Sequence, residues 1–307
     1  MLTSPVCTSY TFLAIRLRVW VNPYGGWSGP EDVLKAAKNV REAGLALMVD
    51  FHYSDFFADP GRQQIPAEWV ADKTDLDKLC QHVGRHTTDV LQSLKDAGVS
   101  VAWVQIGNET RNGMLWPAGQ MWTVEGDIPD GRAHFARLYN AGYDAAKAVF
   151  PEALVMPHLN NAWEDNDWWF RQVKAAGGKF DAIALSHYPQ AEDKFTAAEY
   201  NQKAIGQIKQ LHATYQIPII VSEVGVKPAR ADAADVLKAF LQAARAIDGC
   251  QGVFYWEPEV YGDWVPAVYK DADAIFQYTG TRETWGAYDQ GAFTAEGMPS
   301  AILDCFQ

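Results

Sequence analysis

The chain has 307 residues, 48% hydrophobic and 21% charged, an ordinary globular composition long enough for one large domain or two small ones. Acidic residues outnumber basic ones, 38 to 26, for a formal charge of −12. This argues against a nucleic-acid footprint, which needs clustered Lys and Arg, and leaves neutral polymers such as polysaccharides open.

In chain order, apolar and β-branched runs predict strands at AIRLRVWV (14–21), LALMVDF (45–51), VAWVQIG (101–107), ALVMPHL (153–159), DAIALSHY (181–188), IPIIVSE (217–223) and GVFYWE (252–257). Most are continuous rather than alternating, the pattern of parallel strands covered on both faces. Helical patterns lie between them at 31–44, 76–98, 132–150, 201–215 and 233–247, and the first two stop at Gly44 and Gly98, residues suited to a C-cap. Alternating strand and helix along the whole chain predicts a parallel α/β fold with no linker, hence one domain over 1–307. Reactive residues gather at the polar strand ends, where a TIM-type (β/α)8 barrel carries its active site. About seven strands are recognisable where a closed barrel has eight. The shortage lies at the N-terminus, where residues 1–13 offer at most a makeshift strand (CTSYTFLA).

The four cysteines, Cys7, Cys80, Cys250 and Cys305, are too few and scattered for a disulfide framework and lack metal-ligand spacing. No apolar run reaches the roughly 20 residues of a membrane helix. The start, MLTSPVCTSYTFLAIRL, shows no basic segment, apolar segment and small-residue cleavage site in succession, so no signal peptide is visible. Aromatic residues make up 13% of the chain, including 12 Trp and 13 Tyr, which suits flat sugar faces and equally the filling of a large core.

Two carboxylates, Glu109 in VQIGNET and Glu223 in IVSEVG, each end a highly apolar strand. A single glutamate there reads as an exposed or capping residue. Two entering an apolar wall point to a pair with a chemical role, because an unpaired buried carboxylate is costly. Across a barrel mouth such a pair serves retaining glycoside hydrolysis, one member protonating the leaving oxygen and the other attacking the anomeric carbon about 5–5.5 Å away. Asn108 beside the first has the chemistry to hold a sugar 2-hydroxyl. His52, His158 and His187 end strands without an HxH pair, which favours hydrogen bonding over a metal. His82 and His86 stand at i and i+4 on a helix without the Glu of HExxH and read as a solvated face. The DAD cluster in YKDADAIF (269–276) permits calcium without supplying a clear motif.

RLRVWVNP (16–23), DFHYSDFFADPGRQQIPAEW (50–69), VQIGNETRNGMLWP (104–117), VSEVG (221–225) and GVFYWEP (252–258) together resemble family 53 glycoside hydrolases, the endo-β-1,4-galactanases. The resemblance implies a (β/α)8 barrel, a retaining mechanism and cleavage inside the β-1,4-galactan chains of pectin by a secreted or periplasmic monomer that needs no cofactor. It makes Glu109 the acid/base and Glu223 the nucleophile. It assigns Arg18, His52, Asn108, Tyr188 and Trp256 to supporting or substrate-contacting positions, with Trp116 and Trp264 as sugar-stacking platforms, while His187 is a substrate-contacting candidate from its strand-end position. Two departures stand out. The family carries a βα unit before the RLRVWVNP strand, so the barrel is expected to be incomplete there, and the family's SYYP reads Ser186-His187-Tyr188-Pro189 here. The alternatives are another β-1,4-glycanase acting on mannan, xylan or glucan, and a catalytically impaired glycan-binding barrel. A metal-dependent hydrolase is the outside reading.

Overall fold

The computed structural model describes residues 13–190, 194–261 and 290–306. Seven parallel strands and their helices follow in order: β1 (Ala14–Val19), α1 (Pro30–Glu42), β2 (Ala46–Phe51), α2 (Leu76–Asp96), β3 (Trp103–Ile106), α3 (Gly131–Val149), β4 in two pieces (Leu154–Met156 and His158–Leu159), α4 (Asp167–Ala175), β5 (Ile183–His187), α5 (Ala197–Tyr215), β6 (Ile219–Val224), α6 (Ala233–Arg245) and β7 (Cys250–Tyr255). This is the TIM-type α/β architecture. Helix α4 is the element that sequence periodicity misses. It is 9 residues long, and its aromatic residues Trp169 and Phe170 are adjacent rather than spaced by a turn.

The helix ends follow local chemistry. Asp75 caps α2 by accepting the Lys78 N–H at 3.1 Å, and Thr196 and Glu199 form a capping box on α5. Gly44 and Gly98, just past α1 and α2, adopt left-handed backbone that a side chain would strain. The main core fills the layer between strands and helices, with Val49, Phe51, Val104, Leu185 and Val221 facing Leu79, Leu91, Phe135, Leu211 and Phe240.

Strands run side by side as β1-β2-β3-β4 and β4-β5-β6-β7. β4 joins the two ladders at Pro157, which has no N–H to donate. Among the described residues no ladder joins β7 to β1. Their side chains there are half-buried, whereas those of β5 and β6 are buried throughout, and a cleft of about 780 Å³ runs between them, lined by Leu13 to Arg18 and Gln251 to Glu259. Residues 1–12, which hold most of the makeshift strand expected from the sequence, lie outside the described residues.

Successive strands place alternate side chains inside the barrel. Its floor is apolar: Met48, Met156, Ala184 and Ile220 are buried together, with Trp103 and Phe254 against them. One step further along the strands the interior turns polar, with Arg16, Asp50, Gln105, His158 and Ser186 nearly or fully buried. That layer supports the candidate site.

Candidate active site

Glu109 is aimed by the backbone. After β3 the chain turns at Gly107, where φ is +78° and a Cβ would collide with the Thr110 side chain, so only glycine fits. Glu109 itself has φ of +47°, uncommon for a residue with a side chain and characteristic of a constrained site. The turn is pinned by Gln63, whose amide donates to the Asn108 carbonyl at 2.8 Å, and by the Thr110 N–H on the His158 carbonyl at 2.8 Å. Asn108 donates to the Ala58 carbonyl at 2.8 Å, and its Oδ1 accepts from Arg16 at 3.0 Å.

Glu223 near the end of β6 is 4% exposed, so its charge needs partners. Arg16 supplies one at 3.0 Å from Oε1, and the Tyr188 hydroxyl donates to Oε2 at 2.7 Å. Arg16 is held in turn by Asp50 at 2.8 Å. Burial opposes charge on both members of that pair, yet the ion pairing outweighs it: the Arg16 pKa lies above its ordinary value and that of Asp50 below. His52 adds to the clamp. Its Nδ1 accepts the Ala58 N–H at 3.0 Å, so Nε2 carries the proton and donates to Asp50 at 2.9 Å.

The two glutamates differ in their surroundings. Glu109 is pushed up to about 8, first by burial and then by the negative charge of Glu223, so it holds its proton at neutral pH. Glu223, by contrast, rests on a guanidinium. A carboxylate oxygen of Glu109 and one of Glu223 lie within 4.8 Å of each other, and a nitrogen of His158 is within the same distance of both. Two glutamates and a histidine could hold a cation on geometry alone. Arg16 at 3.0 Å from Glu223 places a positive charge there already and disfavours a second. A protonated Glu109 at this spacing from a carboxylate paired with Arg16 can do acid-assisted displacement at an acetal carbon.

Known proteins resemble this chain in sequence and fold. Residues 9–235 match the model of glycosyl hydrolase family 53. The chain belongs to glycosyl hydrolase family 53. It is 33% identical over 276 residues to an uncharacterized protein in the bgaB 5' region of Niallia circulans, covering 83% of this chain and 74% of that protein. It is 32% identical over 275 residues to a probable arabinogalactan endo-beta-1,4-galactanase A of Aspergillus terreus, covering 80% and 74% of the two chains. Among solved structures, a fungal beta-1,4-galactanase superposes with a TM-score of 0.76 at 26% identity, covering 96% of this chain and 87% of its own. The family 53 catalytic domain of Ignisphaera aggregans has the same TM-score at 24% identity, covering 95% and 84%, a likeness of fold.

In this family 53 chain the structure brings together Glu109, Glu223, Asn108, Tyr188 and Trp256, the last lying 5.4 Å from the guanidinium carbons of both Arg16 and Arg18. Two residues expected at the site are placed otherwise. Arg18 pairs with Glu257 at 2.6 Å, linking β1 to the residues after β7, and the arginine on Glu223 is Arg16. His187 faces the helices, where its Nε2 meets Asn201 of α5 at 2.8 Å and its ring packs on Phe240 of α6, and burial lowers its pKa to about 4. The residue of that strand facing the carboxylates is Ser186. His52 is buried one layer beneath Glu223, on Asp50. Trp116 is half-buried on the loop after Glu109, its indole N–H donating to the Asn112 carbonyl at 2.8 Å. Trp264 and the 269–276 acidic cluster lie outside the described residues. Sequence reasoning passes over Arg16 and Gln105 and gives Asp50 and Ser186 no role of their own. Period-two alternation within the apolar runs was the signal that could have found them, since Asp50, Gln105 and Ser186 each share the inner face with a floor residue two positions away.

Proposed function

We propose that this chain is a retaining endo-β-1,4-galactanase, acting on the β-1,4-galactan side chains of pectin. The observation that carries the reading is the Glu109–Glu223 pair, whose carboxylate oxygens approach within 4.8 Å while Glu109 is raised to about 8 and Glu223 rests on Arg16. A separation of about 5 Å leaves no room for a water between the carboxylates and sugar, which is the retaining geometry. Relatives named as arabinogalactan endo-beta-1,4-galactanases support the substrate.

In the first step Glu109 gives its proton to the glycosidic oxygen as Glu223 attacks the anomeric carbon, and the C1–O bond breaks toward the leaving sugar. Arg16 and Tyr188 hold the attacking carboxylate in line, and Asn108, one amide hydrogen on Ala58, stands next to Glu109 where the 2-hydroxyl would lie. In the second step Glu109, now ionised, takes a proton from water, whose oxygen attacks C1 and releases Glu223. None of this calls on a metal, and activity is expected to survive a chelator. A polymeric substrate cannot cross a membrane, so the enzyme would work outside the cytoplasm as a monomer. No helix among the described residues is long and apolar enough to cross a membrane.

The test is reducing-end release from purified galactan beside mannan, xylan and glucan, with NMR of the first anomer formed. Galactan-selective cleavage with retained configuration is expected. Glu109→Gln should cost about 10²–10⁴-fold, the range for loss of one general acid, and Glu223→Gln at least as much. An inverted first product, or glutamine variants with wild-type rates, would overturn the reading.

A further inference from the structure

Ser186 offers one hydroxyl hydrogen to two carboxylates. β5 and β6 run in register as far as Leu185 beside Val221, then slip by one residue, so that Ser186 lies beside Glu223 instead of Ser222. Such a bulge re-aims side chains, and here it sets Ser186 and Glu223 together on the inner wall. The Ser186 Oγ is then 2.7 Å from Glu109 Oε1, 3.3 Å from Glu223 Oε2 and 2.8 Å from His158 Nε2.

The histidine decides where the hydroxyl hydrogen goes. His158 Nδ1 receives the backbone N–H of Glu109 at 3.3 Å and the Gln105 amide at 3.1 Å. A backbone N–H can only donate, so Nδ1 is the bare nitrogen. Asn108 Oδ1, 2.9 Å from the same nitrogen, accepts instead from Arg16 at 3.0 Å. Burial keeps the ring neutral, with its single proton on Nε2 pointing at Ser186. The serine oxygen is thus an acceptor from His158, and its own hydrogen is left for a carboxylate. While Glu109 is protonated, its O–H donates to Ser186 and Ser186 donates to Glu223. When Glu109 is ionised and Glu223 is not, the same hydrogen turns to Glu109.

We propose that Ser186 is a positioning residue whose hydroxyl hydrogen follows the negative charge between Glu223 and Glu109 as the reaction proceeds. This rests on the retaining reading above. During glycosylation the Glu109 proton goes to the leaving oxygen, the C1–O electron pair leaves with that oxygen, and Glu223 becomes a neutral ester. Negative charge has moved from Glu223 to Glu109, and Ser186 turns with it. During deglycosylation a water proton goes to Glu109, the water oxygen bonds to C1, and the ester electron pair returns to Glu223. Ser186 turns back to the departing carboxylate. In each step the hydroxyl supports the group that is gaining charge, while Arg16 and Tyr188 remain fixed on Glu223.

Aryl β-galactobiosides of graded leaving-group acidity test this. Dinitrophenolate departs without a proton, so glycosylation then makes no demand on Glu109, whereas a weakly acidic phenol needs it. For Ser186→Ala, kcat/KM on the least acidic leaving groups should fall roughly ten- to a hundredfold, the scale of one hydrogen bond to a charged group. On the dinitrophenyl substrate kcat/KM should stay within about threefold while kcat and KM fall together, and the covalent glycosyl-enzyme should accumulate by mass spectrometry. Ser186→Thr, which keeps the hydroxyl, should restore most of both. Ser186→Cys, a weak donor of similar size, gives the same contrast if the alanine variant does not fold. Equal loss at every leaving group would assign Ser186 to carboxylate spacing alone and overturn the proposal, as would no loss at all. The first anomer formed by the wild-type enzyme separates the two claims. Inversion removes both, while retention with a uniform Ser186→Ala profile removes only the serine's role.

Discussion

Arg16→Met tests the claim that a buried cation organises the site. Only 6% of the Arg16 side chain and none of the Asp50 side chain is exposed, so solvent cannot take over when the guanidinium goes. Two carboxylates lose their charge partner at once, Asp50 at 2.8 Å and Glu223 at 3.0 Å. Breaking a buried pair from one side costs about 3–5 kcal/mol. At about 2 °C per kcal/mol for a chain of this length, the melting temperature should drop by roughly 6–10 °C. Adding Asp50→Asn removes the stranded charge and should recover a measurable part of the loss, giving a coupling of about 1–3 kcal/mol in a urea-unfolding cycle. The pH dependence has a definite sign. In the wild type the Asp50 pKa is depressed, so its contribution is present above the unfolded carboxylate pKa and lost as pH falls through the folded value. Without Arg16, burial dominates and the folded pKa of Asp50 rises above the unfolded one. The deficit of the variant should therefore shrink as pH falls from 7 toward 4. Equal stability of Arg16→Met and wild type at pH 7, or a deficit that does not change with pH, would refute the reasoning.

With Glu109 raised to about 8 and required in its acid form, kcat/KM should be flat through neutrality and fall above pH of about 8. Initial rates from pH 5 to 10 check this, and a descending limb in the ordinary carboxylate range would contradict it. The Arg18–Glu257 pair links β1 to the residues after β7 at 2.6 Å beside Trp256, so Arg18→Leu and Glu257→Gln should each destabilise. The double variant should show a coupling of about 0.5–3 kcal/mol, while additive losses would dismiss the link. Trp116→Ala should raise KM on galactan roughly three- to tenfold with kcat little changed, the scale of one aromatic contact, and an unchanged KM would remove Trp116 from the substrate path.

The order of strands and helices could be read because each parallel strand is a continuous apolar run and several helices stop at a glycine. Glu109 and Glu223 could be read for the same reason, as carboxylates closing strongly apolar runs. What stayed hidden is the inner face. In RLRVWV and IALSH the apolar residues of both faces run together, and the strand pleat puts Leu17 and His187 on the opposite face from Arg16 and Ser186. The choice of His187 over Ser186 turned on chemical salience where strand phase decided, whereas Arg16 and Arg18 share a face and differ only in position along the strand. The register slip between β5 and β6 is a further obstacle, because no local sequence marks it.

The seam at Pro157 has a consequence for how the enzyme fails. Glu109 belongs to the β1–β4 ladder and Glu223 to the β4–β7 ladder, so the reacting pair is held like a workpiece between two jaws that share one hinge. Across the hinge the grip is made by the Thr110 N–H on the His158 carbonyl and by two side-chain contacts, Arg16 on Glu223 and Ser186 on Glu109. A parting of only about 2 Å would carry the carboxylates out of the retaining range toward the spacing at which inverting enzymes fit a water between them. On warming, the rate is then expected to fall before the helices melt, so that the temperature at which activity ends measures the jaws rather than the fold.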